Sequence, residues 1–351
     1  MRVMAKVKTV AVLGASGYGG AEVLRLAAQH PNLDVAVTTG ETQAGQTVAE
    51  LYPHLHEYGQ LRLVTADQAG NEISGCDLVF SCLPHGAAMA VLGDLGNDLV
   101  IDLGGDFRLD SADDYESWYG LDHQAPGQIA DWTYGLPELF RLDIEGSRRI
   151  ANPGCYPTAV ALAAAPLVAA GLVEGPIVAD AASGTSGAGR APKPGLHFAH
   201  VHEDMRAYKV GEHQHTPEME MAIARYAGTD ANDVLVSFTA HLVPMVRGIH
   251  ATVSAQAVPA ASATDLNDVL ADAYPGEAFV DVVSTPPGTK QVRGTNRVAL
   301  SAVLDERSGR AIVTAVLDNL VKGAAGQAIQ NANIALGLPE TTGLPLEGLY
   351  P

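Results

Sequence analysis

Apolar and polar positions along the chain fall into two kinds of pattern. Through the first 150 residues, short apolar runs alternate with amphipathic stretches. Residues 9–13, 33–39, 61–64, 78–81 and 99–103 read as strands, and 21–29 and 86–95 as helices. Such alternation predicts a parallel sheet covered by helices on both faces. Past residue 153 the strands lengthen and follow one another without obligatory helices, over 176–182, 234–243, 248–258, 297–305 and 310–317. The last two, joined by Glu306-Arg307-Ser308-Gly309, read as a hairpin. Helical periods are expected over 158–173, up to Ala227, and over 319–336.

Glycines punctuate the first strand-to-helix turn, Gly14-Ala15-Ser16-Gly17-Tyr18-Gly19-Gly20. Their spacing is G-x-x-G-x-x-G rather than G-x-G-x-x-G, but strand, turn, helix and strand within ~30 residues is the setting of a dinucleotide site. The backbone amides at the helix start would cradle a pyrophosphate, with Gly14, Ser16, Gly17, Tyr18, Gly19 and Gly20 lining it. A plain structural turn is the alternative. The second strand ends in Thr38-Thr39-Gly40 with Glu41 beyond. Hydroxyls in place of a carboxylate point to NADP over NAD, although no arginine stands nearby and Glu41 would oppose a phosphate. The fold class is therefore α/β: a Rossmann-type dinucleotide-binding domain over 1–152, rejoined by a C-terminal helical segment over 319–351, with a mixed α+β domain over 153–318.

Composition narrows the setting. Hydrophobic residues make up 47% and charged residues 17%, as in a globular chain. A formal net charge of -19 argues against nucleic acid and anionic membranes as partners. The three cysteines, Cys76, Cys82 and Cys155, show no paired spacing and fit a reducing cytoplasm. Residues 1–8 carry no signal-peptide pattern, and the apolar run 158–173 is too short to span a bilayer.

Cys155 sits in Asn152-Pro153-Gly154-Cys155-Tyr156-Pro157-Thr158, directly before a helical run. Pro157 suits a first helical turn, and a thiol beside a helix N-terminus is biased toward the nucleophilic thiolate. A small buried hydrophobe is the alternative, and Cys82 is read that way. The turn Cys82-Leu83-Pro84-His85-Gly86 lies at a strand's C-terminal end, where doubly wound sheets place ligands. Arg108 emerges at the same edge, either to clamp a phosphate or carboxylate or to pair with Asp106 or Asp110. The loop Ser183-Gly184-Thr185-Ser186-Gly187-Ala188-Gly189-Arg190 lacks the lysine and following hydroxyl of a P-loop, and reads as a flexible turn open to a ligand. Five histidines cluster at 197, 200, 202, 213 and 215 without a metal-site spacing, so no metal is expected. His213 and His215 precede a helix with Thr216 as N-cap and Pro217 behind it, and either can exchange protons near neutral pH.

Taken in order, these motifs resemble the N-acetyl-gamma-glutamyl-phosphate reductases, relatives of aspartate-semialdehyde dehydrogenase. Asp106-Phe-Arg-Leu109, Tyr134-Gly-Leu-Pro-Glu138 and Asp318-Asn-Leu-Val-Lys-Gly323 extend the match across the chain. The resemblance implies that Cys155 attacks an acyl phosphate, expels phosphate and forms a thioester that NADPH reduces to an aldehyde. It implies His213, or else His215, as acid/base. It further implies cofactor contacts from Pro84, Ser183, Gly184 and Asn319, and substrate contacts from His85, Arg108, Ser186, Arg190 and Glu218. The second domain would be the catalytic and dimerisation unit of a homodimer or homotetramer in the cytoplasm. Two rival readings stand beside it. One is a sister reductase taking a carrier-bound aminoadipyl or glutamyl phosphate, whose acidic carrier a -19 surface would repel. The other is a non-catalytic dinucleotide sensor with an inert Cys155.

Overall fold

The computed structural model describes residues 6–93 and 95–351. Most of the N-terminal stretch weighed above as a leader, and Asp94 in the expected helix 86–95, lie outside the described residues. The chain forms two compact units, one running through Pro153 with Gly189–Ala191 and Ala324–Leu344, the other holding Gly154–Ala188, Pro192–Gly323 and Pro345–Pro351.

Unit 1 is built on a seven-stranded sheet. Its strands are β1 (Lys8–Leu13), β2 (Leu33–Thr39), β3 (Leu63–Val64), β4 (Leu78–Ser81), β5 (Leu99–Asp102), β6 (Thr133–Tyr134) and β7 (Arg149–Ala151). They lie in the order β3-β2-β1-β4-β5-β7-β6, and every pairing is parallel. β4 and β5 are buried end to end, which is why they are continuous apolar runs without alternation. Strand order reverses between β1 and β4, so the ligand crevice of such a sheet falls at their C-terminal ends. The helix Tyr18–Ala27 follows β1 and buries Ala21, Val23, Leu24, Leu26 and Ala27. It starts three residues earlier than the apolar period suggested, because the glycines at 19 and 20 are helical. The expected helix 86–95 shrinks to Ala88–Leu92.

The helix Gly326–Ala335 also belongs to unit 1, and it is unusually polar for a buried element. Gln327, Gln330, Asn331 and Asn333 are all fully buried within it. Burial of an amide demands partners, and Gln330 donates to Glu138 and Glu340. Asn331 donates to Gly135 O and Asn152 Oδ1, and Asn333 donates to the carbonyls of Glu340 and Thr342. The expected helix 319–336 begins only here, because Val321–Ala325 forms a π-helical turn instead.

Unit 2 carries a mixed sheet of β8 (Val173–Ser183), β9 (Arg206–Tyr208), β10 (Val236–Leu242), β11 (Ile249–Ala257), β12 (Val280–Val282), β13 (Val298–Asp305) and β14 (Arg310–Leu317). Their order is β12-β13-β14-β11-β8-β10-β9. β13 and β14 form the expected hairpin, closed by Gly309 at φ +67°. The helix Cys155–Ala169 packs on this sheet and is buried on all sides from Tyr156 to Leu167, so it shows no amphipathic period. No helix among the described residues is long and apolar enough to cross a membrane.

Candidate active site

The glycine turn of unit 1 is a tight structure with specific steric demands. Gly14 has φ +74°, and a Cβ there would meet Cys82 O at 2.6 Å. A Cβ on Gly20 would lie 2.6 Å from Gly14 O, whereas Gly17 meets nothing closer than 3.5 Å and faces open space. The turn is pinned from below: Gly14 N–H donates to Thr39 Oγ1 at 3.1 Å and Ala15 N–H to Thr39 O at 2.8 Å. No side chain caps the helix Tyr18–Ala27, so its first amides are left to a ligand or solvent. An uncapped helix start behind a glycine turn, at the strand-order switch, fits a dinucleotide pyrophosphate.

The expected readers at the tip of β2 do not face outward. Thr38 and Thr39 are buried, and their hydroxyls are committed within the protein, Thr38 Oγ1 to Arg62 O and Thr39 Oγ1 to the glycine turn. Two residues in a parallel strand cannot both face a crevice, and here both side chains brace neighbouring backbone.

Below β4, Asp106 is the residue that sequence reasoning missed. Fully buried, its carboxylate accepts N–H groups from Gly86, Ala88 and Met89, closing the start of the helix Ala88–Leu92. That arrangement shapes the turn carrying Pro84 and His85, both exposed. His85 Nδ1 accepts Gly105 N–H at 3.0 Å. Arg108 departs from expectation: it is buried, with Nε donating to Asn152 O at 2.8 Å and Nη2 to Leu103 O at 2.8 Å. These two bonds tie the C-terminal ends of β5 and β7 together. Cys82 behaves as packing, since burial pushes its thiol far up. Burial together with Asp106 raises the Asp102 carboxyl to about 6.

In unit 2, Cys155 is the first residue of its helix, with Gly154 as an extended N-cap and no side-chain cap. The turn before it is fixed by Glu218, whose Oε1 accepts Gly154 N–H at 2.8 Å. Thr158 Oγ1 donates back to Gly154 O at 2.9 Å. Glu218 is fully buried, so it braces the cysteine turn and is not a surface group awaiting substrate. On the other side stands the π-helical turn: a Cβ on Gly323 would come within 2.7 Å of Cys155 Cβ. Only glycine lets that backbone lie against the cysteine. Asp318 organises the turn, accepting N–H groups from Leu320, Val321 and Gly294. Cys155 itself is partly exposed among buried neighbours.

The five histidines separate. His197, His200 and His202 are exposed on one short segment, whereas His213 and His215 are buried. His213 is enclosed by Tyr156, Tyr208 and Phe238 rings, and its Nδ1 accepts His215 N–H at 3.1 Å. Burial, with Lys209 nearby, lowers its pKa to about 4. It is therefore neutral near pH 7, with one nitrogen already engaged. His215 is the N-cap position of the helix Thr216–Ala227, without a side-chain cap, so Thr216 is the first helical residue and not the cap. Tyr156 Oη and Tyr208 Oη are 3.0 Å apart beside these rings, a hydroxyl pair the sequence did not announce.

The loop after β8 is anchored, not flexible. Gly184, Thr185 and Ser186 donate their N–H groups to Gly248, Met245 and Val246 carbonyls. Asn319 links it to the end of β14, donating to Ser186 Oγ at 3.0 Å and accepting Gly248 N–H at 2.7 Å. Ser183, Ser186 and Asn319 are all buried by these contacts. Arg190 leaves the loop and counts with unit 1.

Two family descriptions match the chain in tandem. Residues 9–147 match "Semialdehyde dehydrogenase, NAD binding domain" and residues 155–319 match "Semialdehyde dehydrogenase, dimerisation domain". A protein of Symbiobacterium thermophilum named N-acetyl-gamma-glutamyl-phosphate reductase is 48% identical over 349 residues, covering 97% of this chain and 99% of that one. A counterpart in Arabidopsis thaliana, named as a probable chloroplastic enzyme of that kind, is 43% identical over 97% of this chain and 85% of its own length. Among solved structures, aspartate semialdehyde dehydrogenase II from Vibrio cholerae superimposes with a TM-score of 0.70 at 17% identity, covering 94% of this chain and 98% of that one. Aspartate semialdehyde dehydrogenase with NADP from Candida albicans gives 0.69 at 19% identity, covering 93% and 98%. At such identities the likeness is one of fold.

Proposed function

We propose, for a chain that belongs to the N-acetyl-gamma-glutamyl-phosphate reductase family, that Cys155 is the nucleophile of an NADPH-dependent reduction of N-acetyl-L-glutamyl 5-phosphate. The products are N-acetyl-L-glutamate 5-semialdehyde and phosphate, a step of arginine biosynthesis. The observation that carries the residue assignment is the placement of Cys155 at the first position of a buried helix whose preceding turn is locked by Glu218.

The Cys155 thiolate attacks the acyl carbon, a C–S bond forms, and the C–O bond to phosphate breaks. The dipole of the helix that Cys155 opens favours negative charge on sulfur and on the developing oxyanion. Bound NADPH supplies the hydride that converts the thioester carbonyl carbon to the hemithioacetal level. Collapse then restores the C=O bond, releases sulfur as thiolate and needs one proton moved. His215 is the better candidate for that proton, because His213 is neutral, enclosed and engaged through Nδ1. Glu218, Thr158 and Gly323 act on the position of Cys155 rather than on substrate. Within unit 1 the glycine turn and Pro84 are proposed as cofactor contacts and His85 as a substrate contact, and within unit 2 Ser183, Gly184 and Asn319 are proposed as cofactor contacts. The match of residues 155–319 to a dimerisation domain supports a homodimer or homotetramer, and the proposed setting is the cytoplasm.

The test is the reverse reaction with N-acetylglutamate semialdehyde, phosphate and NADP, read as NADPH absorbance. Wild type should turn over only with phosphate, and Cys155→Ser should fall by at least ~10³-fold, the scale of losing a covalent nucleophile. His215→Asn should lose more than ~10²-fold, the scale of a general acid/base, and His213→Asn far less. A silent wild type that turns over a carrier-linked semialdehyde would overturn the substrate.

A further inference from the structure

The cofactor site described above has a deficit of positive charge. The tip of β2 offers only Thr38 and Thr39, both turned inward, and the nearby Glu41 side chain accepts Ala66 N–H through Oε1 and offers no cation. The whole chain carries a formal charge of -19. A dinucleotide phosphorylated at its ribose brings several negative charges to this edge, so a cation must come from outside the β1–β2 repeat.

Residues Gly189–Ala191 are a three-residue incursion into unit 1, flanked on both sides by residues of unit 2. Their side chain of consequence is Arg190, whose guanidinium carbon lies 5.9 Å from the centroid of the Tyr52 ring. Tyr52 in turn is tied to the glycine turn: its hydroxyl donates to Ser16 O at 2.6 Å. Ser16 faces the end of β2, since a Cβ on Gly40 would sit 3.0 Å from Ser16 Cβ. Arg190, Tyr52, Ser16 and Gly40 thus form a continuous line from the guanidinium to the point where the glycine turn meets the ribose-reading strand. The ring is buried and its phenol is pushed up to about 12, so it remains a neutral donor and a stable platform. A guanidinium laid on an aromatic face keeps its planar fork of N–H donors for an anion, and that fork matches phosphate geometry.

We propose that Arg190, held on Tyr52, is the arginine that binds a phosphate of the dinucleotide in unit 1. This replaces the substrate-binding role that the family resemblance implied for it, and it rests on the cofactor reading given above. The 2′-phosphate and the pyrophosphate share the chemistry, and the two nicotinamide cofactors separate them.

The experiment is equilibrium binding of NADPH and of NADH to the purified protein, by calorimetry or fluorescence quenching, without substrate. Arg190→Ala should weaken NADPH at least tenfold while leaving the melting temperature of the unliganded protein unchanged. Arg190→Lys should recover part of the loss by keeping charge without the fork. A loss confined to NADPH assigns the contact to the 2′-phosphate, and an equal loss for NADH assigns it to the pyrophosphate. NADPH binding by Arg190→Ala within twofold of wild type would overturn the inference while leaving the cofactor reading intact. The same holds if Arg62→Ala, and not Arg190→Ala, weakens NADPH. A wild type that binds neither dinucleotide would remove the cofactor reading and this inference together.

Discussion

His213 and Cys155 show how differently two chemically active side chains can be treated by one fold. Three aromatic rings surround His213, and burial lowers its pKa to about 4 from 6.5, whereas Cys155 stays partly exposed. The sign of the linkage follows directly. Between these values the unfolded chain binds a proton that the native state does not, so stability falls as pH drops from about 6.5 toward 4. Each unit in that window removes up to about 1.4 kcal/mol. Urea midpoints of the wild type should fall from pH 7 to pH 4.5, and His213→Asn should flatten that dependence. Equal slopes in the two proteins would show that other groups carry it. The histidine pair was legible in the sequence as a pair, but not which member is enclosed. Enclosure depends on Tyr156, Tyr208 and Phe238, which a helix and two strands bring together around it. Arg108 illustrates the same limit: its charge advertised a ligand clamp, while its partners are backbone carbonyls that carry no sequence signal.

Among elements, the helix Cys155–Ala169 and the π-helical turn Val321–Ala325 form the working pair. The helix was readable from its apolar run and from Pro157, though its start had to be moved onto Cys155 itself. The π-helical turn was not readable, because 319–336 has an acceptable helical period throughout. Such turns are rare and concentrate at functional positions. Its fit against Cys155 leaves no room for a methyl group, which would lie 2.7 Å from Cys155 Cβ and 3.1 Å from Leu317 Cδ1. Gly323→Ala is therefore expected to displace the cysteine by a few tenths of an ångström and slow the reaction. A misplacement of about 1 Å costs on the order of 10²-fold in a well-oriented site, so this smaller shift should cost less than that. Cofactor binding should be retained, and the pH dependence of Cys155 alkylation should shift relative to wild type. Unchanged turnover and an unchanged alkylation profile would show that the contact is passive. The glycine turn after β1 was the most legible element of all, since strand, glycines and helix announce themselves in order. Its floor was hidden, because Thr39 is recruited from the end of β2.

At the scale of the molecule, the two patterns of hydrophobicity do correspond to two sheets, one parallel and one mixed. What the patterns could not show is how strand order interleaves, with β8 between β11 and β10 at the centre of the second sheet. The C-terminal segment of unit 1 has a further consequence, one that concerns time rather than geometry. The amides of Asn331 and Asn333 supply partners to Gly135, Asn152 and His30, groups made 196, 179 and 303 residues earlier. A ribosome delivers the chain from the N-terminus, so unit 1 waits for its last pieces while unit 2 is synthesised through Gly323. Chains arrested before residue 324 should therefore yield a protease-sensitive first unit, and chains released past residue 344 a resistant one. Equal resistance at both lengths would show that the parallel sheet matures without its closing helix. In the expected case, completion of the cofactor-binding unit serves as a late signal that the whole reductase has been made.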